Sequence, residues 1–154
     1  MKYFLIKPEV AGGFGEDTDV DTSGTFPDVK RLHYVFDDWF GDDLVESFPC
    51  YIITDRLKDL LEKSDETGYT LDRVKVSKSE LYQDIHPGGP PLPRFHWLKI
   101  TGRAGIDDFG LSTKHRLVVS ERALRLLQSL QLSDCEIEEF PGKGDDEVGR
   151  DGRS

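Results

Sequence analysis

Apolar residues in this chain come in short runs, each broken within a few positions by Gly, Pro, Asp or Lys. The runs are KYFLIK (2–7), KRLHYVF (30–36), PCYII (49–53), YTLDRVKVS (69–77), FHWLKIT (95–101), HRLVV (115–119) and CEIEEF (135–140). Runs of this length, rich in aromatic and β-branched residues and bounded by turn formers, predict short strands and not long helices. Leu32, Tyr34 and Phe36 alternate with Arg31, His33 and Val35, which predicts a strand with the two sets on opposite faces.

Two segments have helical spacing instead. In RLKDLLEKS, Leu57, Leu60 and Leu61 share a face behind Thr54 or Asp55 as cap. In ERALRLLQSL, Leu124, Leu127 and Leu130 form a stripe behind Ser120, with Leu126 alongside. Residues 11–28 are Gly-, Asp- and Thr-rich without a period and predict a long loop. Residues 37–48 predict a loop followed by one helical turn. Residues 86–93, HPGGPPLP, are a rigid connector, because four prolines bar a ladder or a helix interior. Residues 102–113 predict a loop. The expected fold is α+β: one domain over residues 1–140, a mostly antiparallel sheet of five to six short strands, and two or three helices packed on it. No internal repeat and no second core are expected. Residues 141–154 hold one apolar side chain, Val148, and predict a disordered acidic tail dispensable for folding.

Charge narrows the partners. The net charge is −10. Residues 1–50 carry 4 basic and 11 acidic side chains, net −7, whereas residues 51–134 are near neutral. So acidic a surface repels phosphate backbones, which argues against nucleic acid, and suits a basic protein. Cys50 and Cys135 lack C-x-x-C spacing and read as free thiols of a reducing compartment. The N-terminal stretch lacks the apolar core of a signal peptide, and no run is long enough to span a bilayer, so a cytoplasmic protein is expected.

The candidate chemistry is sparse. Asp17, Asp19, Asp21, Ser23, Thr25 and Asp28 are spaced like calcium-loop ligands, but Thr22 stands where that loop needs Gly. They read as a solvated acidic loop. His33, His86, His96 and His115 have no zinc spacing, so no metal and no cofactor are expected. His96 and His115 lie in expected strands and could meet in space. The GGFG stretch at 12–15 lacks Lys and is followed by Glu16 and Asp17, which would repel a phosphate. Asp37, Asp38, Asp42 and Asp43 bracket Trp39 and Phe40. Aromatics that anchor and carboxylates that receive Lys or Arg make a recognition patch. The same residues also read as core aromatics with capping aspartates. Arg103, Asp107 and Asp108 in TGRAGIDDFG form a second polar loop of candidate contacts.

The segments MKYFLIKPEVAGGFG, WFGDDL, FHWLKITGRAGIDDFGL and HRLVVSERALRLL with its short closing strand resemble a group of bacterial immunity proteins of polymorphic toxin systems. That group includes a myxobacterial-type immunity domain. The resemblance spans most of residues 1–140 and is strongest from Val119 to Leu124. Related double C-x-x-C-G proteins carry cysteine pairs that this chain lacks. The resemblance implies a non-enzymatic antidote that binds and blocks a cognate toxin, with no catalytic residues. The competing expectation is a small enzyme or metal-binding domain that uses the Asp37–Asp43 segment with a histidine.

Overall fold

The structure is a computed structural model that describes residues 2–141. In chain order it runs β1 (Tyr3–Lys7), β2 (Gly12–Phe14), β3 (Asp19–Asp21), β4 (Asp28–Arg31), β5 (His33–Phe36), β6 (Leu44–Ser47) and β7 (Cys50–Thr54). Helix α1 (Asp55–Glu62), β8 (Tyr69–Asp72), β9 (Lys75–Lys78), α2 (Glu80–Ile85) and β10 (Phe95–Ile100) follow. The chain closes with β11 (Phe109–Leu111), β12 (Leu117–Ser120), α3 (Glu121–Gln128) and β13 (Glu136–Glu139).

The class is α+β with mostly antiparallel sheets, as expected. The strands are more numerous and more fragmented: thirteen, in four sheets, among the described residues. Two four-stranded sheets, β6-β7-β10-β8 and β11-β12-β1-β13, are antiparallel throughout. A third sheet, β2-β5-β9, holds the parallel pair β5–β9, and β3–β4 is a separate hairpin.

Strand β7 separates the two larger of three buried apolar clusters among the described residues, where no second core was expected. All five of its residues are buried. With period-2 alternation, Cys50 and Ile52 face one side, against Tyr34, Phe36, Phe95 and Trp97. Tyr51 and Ile53 face the other, against Leu57 and Leu61 of α1, Leu98, Phe109, and Ala123, Leu124 and Leu127 of α3. A strand buried on both faces reads as the continuous apolar run CYII, which hides the alternation from a sequence reading.

The expectation of no internal repeat is also corrected. Each four-stranded sheet contains an aspartate, a hairpin, a capping hydroxyl residue and a helix. Asp43-β6-β7-Thr54-α1-β8 matches Asp108-β11-β12-Ser120-α3-β13, and β1 takes in the second sheet the position of β10 in the first. The main chain repeats the match. Thr54 N–H donates to the Asp43 carbonyl at 3.0 Å and Ser120 N–H to the Asp108 carbonyl at 2.8 Å. Asp55 N–H donates to the Arg94 carbonyl before β10, and Glu121 N–H to the Lys2 carbonyl before β1. The sequence trace is Ile52-Ile53-Thr54-Asp55-Arg56 against Val118-Val119-Ser120-Glu121-Arg122, too short to stand out alone.

Other boundaries moved. Residues 11–28 hold β2 and β3, and residues 37–48 end in strand β6 with no helical turn. The 30–36 run divides into β4 and β5, the 69–77 run into β8 and β9 of different sheets, and β11 lies inside the expected 102–113 loop. Helix α2 lay outside the expected helices. The expected tail falls, from residue 142, outside the described residues.

Candidate functional site

The segment from Asp37 to Asp43 leaves β5, packs Trp39 against the cluster of Tyr34, Phe36, Phe95 and Trp97, and enters β6. Its backbone is held at several points. Asp37 and Asp38 N–H groups donate to the Ala11 carbonyl at 2.8 and 3.2 Å. Phe40 N–H donates to Glu9 Oε2 at 2.8 Å, and the Phe40 carbonyl accepts from Gln131 Nε2 at 3.2 Å. Gly41 adopts φ +104°, a conformation that asks for glycine.

The side chains of this segment divide into two sets. Asp37 is exposed, and Asp38 is half-buried with Oδ1 2.8 Å from His86 Nε2. The His86 contact holds the Asp38 carboxyl below its usual range. Trp39 is half-buried: its indole N–H donates to the Asp42 carbonyl at 2.9 Å, and its ring meets Phe36 and Phe95 edge-on. Phe40 is 65% exposed, and Val10 on the neighbouring segment 68%.

Asp42 and Asp43 point inward, which corrects their expected place on a protein-facing surface. The Asp42 side chain is fully buried and accepts from Ser133 N–H at 2.8 Å and Asp134 N–H at 2.7 Å. Asp43 accepts from Thr54 Oγ1 at 2.5 Å, from Arg56 Nε and Nη2 at 2.7 and 2.8 Å, and from Gln131 N–H at 2.9 Å. Burial pushes the Asp43 carboxyl up, but these donors outweigh it and the net shift is downward.

Asp108 is corrected in the same way, because it is the counterpart of Asp43. It is buried and accepts from Ser120 Oγ at 2.5 Å, from Arg122 Nε and Nη2 at 2.9 and 2.8 Å, and from Thr67 N–H at 3.0 Å. The Arg122 guanidinium, opposed by burial, holds its carboxyl far below the usual range. The two aspartates act reciprocally. Asp43 holds the Thr54 hydroxyl that caps α1 and ties down Gln131 after α3, while Asp108 holds the Ser120 hydroxyl that caps α3 and ties down Thr67 after α1. Arg56 and Arg122, their partners, escaped notice in the sequence, and the repeated Thr/Ser-acid-Arg triplet was the signal that could have found them. Of the second loop, Arg103 is exposed and Asp107 half-buried, with Asp107 Oδ2 accepting Arg103 N–H at 2.8 Å.

The remaining groups are dispersed. His96 and His115 do not pair: His96 Nε2 lies 2.6 Å from Asp55 Oδ1, and His115 stacks on Phe26. Asp21 accepts from Ser23, and Asp17 pairs with Lys75 of β9, so these acids of the 17–28 hairpin are engaged within the protein. Cys50 and Cys135 are free thiols, both pushed up to about 12 by burial, which leaves them poor nucleophiles.

One grouping had no local signal. Glu9, just after β1, lies with Asp42 and Asp134 so that one ligating oxygen from each falls within 4.8 Å of the others. Glu9 and Asp42 are buried and Asp134 is exposed. The three come from distant segments, so spacing could not reveal them. No helix among the described residues is long and apolar enough to cross a membrane. No known family matches the chain, and no curated protein matches it in sequence.

Proposed function

We propose that the chain is a protein-binding inhibitor, an immunity protein that neutralises a cognate toxin domain in the cytoplasm, and that it is not an enzyme. The observation that carries this reading is Phe40. It is a large apolar side chain, mostly exposed, on a segment whose main chain is pinned by Ala11, Glu9 and Gln131. An exposed aromatic on a pre-ordered support loses little conformational freedom when a partner covers it. Val10 widens the apolar area, while Asp37 and Asp38 supply carboxylates for Lys or Arg of a basic partner. The acidic first 50 residues support the same reading.

The test is to identify the genes beside this one and measure binding to any toxin domain they encode. Phe40→Ala and Asp37→Asn leave the core packing alone. Phe40→Ala should speed dissociation at least tenfold, because an anchor acts on dissociation, and Asp37→Asn should slow association. A doubly substituted protein that folds, binds and protects like the parent would remove this loop from the interface.

A further inference from the structure

We infer that Glu9, Asp42 and Asp134 form a binding site for a hard divalent cation, calcium above all. Three carboxylate oxygens converge within 4.8 Å of one another. That spacing is no wider than the distance across a calcium shell, about twice 2.4 Å. Proximity of acids alone would carry little. The decisive feature is Glu9, only 6% exposed, whose Oε1 is buried without a hydrogen-bond partner. Its other oxygen accepts Phe40 N–H. A buried carboxylate oxygen without a donor is strongly disfavoured unless a cation or a proton meets it.

The surroundings are those of a prepared site. Glu9 is fixed by a bridge to Val45, with Glu46 N–H donating to its carbonyl at 2.8 Å. Asp42 is fixed by the Ser133 and Asp134 N–H groups, and each of its oxygens keeps a second lone pair. The donors are all carboxylate oxygens, which select a hard cation over zinc or copper. Exposed Asp134 leaves one side open to water. Calcium tolerates such irregular, partly hydrated shells, whereas magnesium demands near-octahedral order. The bound ion would join the residue after β1, the segment under Phe40, and the α3–β13 connection. This inference does not rest on the partner-binding reading.

The experiment uses the full chain, stripped with EDTA and dialysed, then titrated with calcium chloride by calorimetry and followed by thermal melting. The parent should bind one calcium per chain with a Kd on the order of 0.1–1 mM, the range of open carboxylate sites, and melt several degrees higher in excess calcium. Glu9→Gln and Asp134→Asn should each weaken binding at least tenfold and abolish the calcium-dependent melting shift. Asp134 sits on the exposed side and gives only its main-chain N–H to Asp42, so Asp134→Asn decides the matter if Glu9→Gln does not fold. No heat and no melting shift in the parent at 10 mM calcium would overturn the site. So would calcium binding unchanged in Asp134→Asn.

Discussion

Asp43 and Asp108 show how much one buried side chain can organise. Each accepts a helix-capping hydroxyl, a bidentate arginine and a main-chain N–H from the loop after the other helix. Removing the charge would leave several donors under-used in a mostly dry setting. Asp108→Asn should therefore destabilise the fold by about 2–4 kcal/mol, somewhat below the ~3–5 kcal/mol of fully buried pairs because Arg122 is partly in water. Urea unfolding at pH 7 measures it. The pH dependence follows from the same contacts. Both carboxyls titrate lower in the folded chain than in the unfolded one. Their contribution is complete above the unfolded value, about pH 4, and is lost as pH falls through the folded values. The parent and Asp108→Asn should thus converge in stability as pH drops below about 4. A constant gap from pH 7 to pH 2 would show that the charge is not what stabilises.

Helices α1 and α3 were legible at the level of elements because their leucine spacing and caps are local. Thr54 accepts Leu57 N–H at 3.3 Å, and Ser120 accepts Ala123 N–H at 3.2 Å. Leu124 and Leu127 are buried as the stripe required, and Leu130 is half-buried where the helix ends. Leu127→Ala should cost about 2–5 kcal/mol, the range for buried leucine truncations, and lower the melting temperature accordingly. An unchanged melting curve would contradict the packing of α3. The strands were legible one by one from their short aromatic and β-branched runs, as in β5 and β10, although His33, on the face opposite Tyr34 and Phe36, is buried too. Their grouping was not: β8 and β9 read as one run, yet β8 pairs with β10 and β9 with β5. Three-residue strands such as β2 and β11 owe their geometry to a neighbour and not to their own residues. Within the candidate site, the exposed Phe40 and the acidic loop were visible in the sequence. The inward turn of Asp42, Asp43 and Asp108 was not, because their donors Arg56, Gln131, Ser133 and Arg122 come from other elements.

For the whole molecule, charge and shape act together. The chain carries −10 overall, concentrated in its first 50 residues, and those residues supply Asp37, Asp38 and Phe40. Encounter with a basic partner should therefore be steered by the long-range field. Raising ionic strength from about 50 to 500 mM shortens the Debye length from roughly 14 to 4 Å, so the association rate should fall by about tenfold or more with little change in dissociation. Stopped-flow or surface-based kinetics would resolve the two rates. An association rate indifferent to salt would leave the acidity to solubility alone.

The place of β1 sets the order in which the chain can finish folding. Tyr3 pairs with Ser120 and Lys7 with Glu136, so β1 waits for β12 and β13, more than a hundred residues later, before its sheet exists. The sheet of β6, β7, β8 and β10, by contrast, is complete once Ile100 has emerged. A nascent chain passes through a stage with one sheet formed and β1 unpaired, its apolar side chains open to chaperones or to stray edges. Closing so long a loop is entropically slow. Completion of this sheet is thereby tied to the emergence of β12 and β13 from the ribosome.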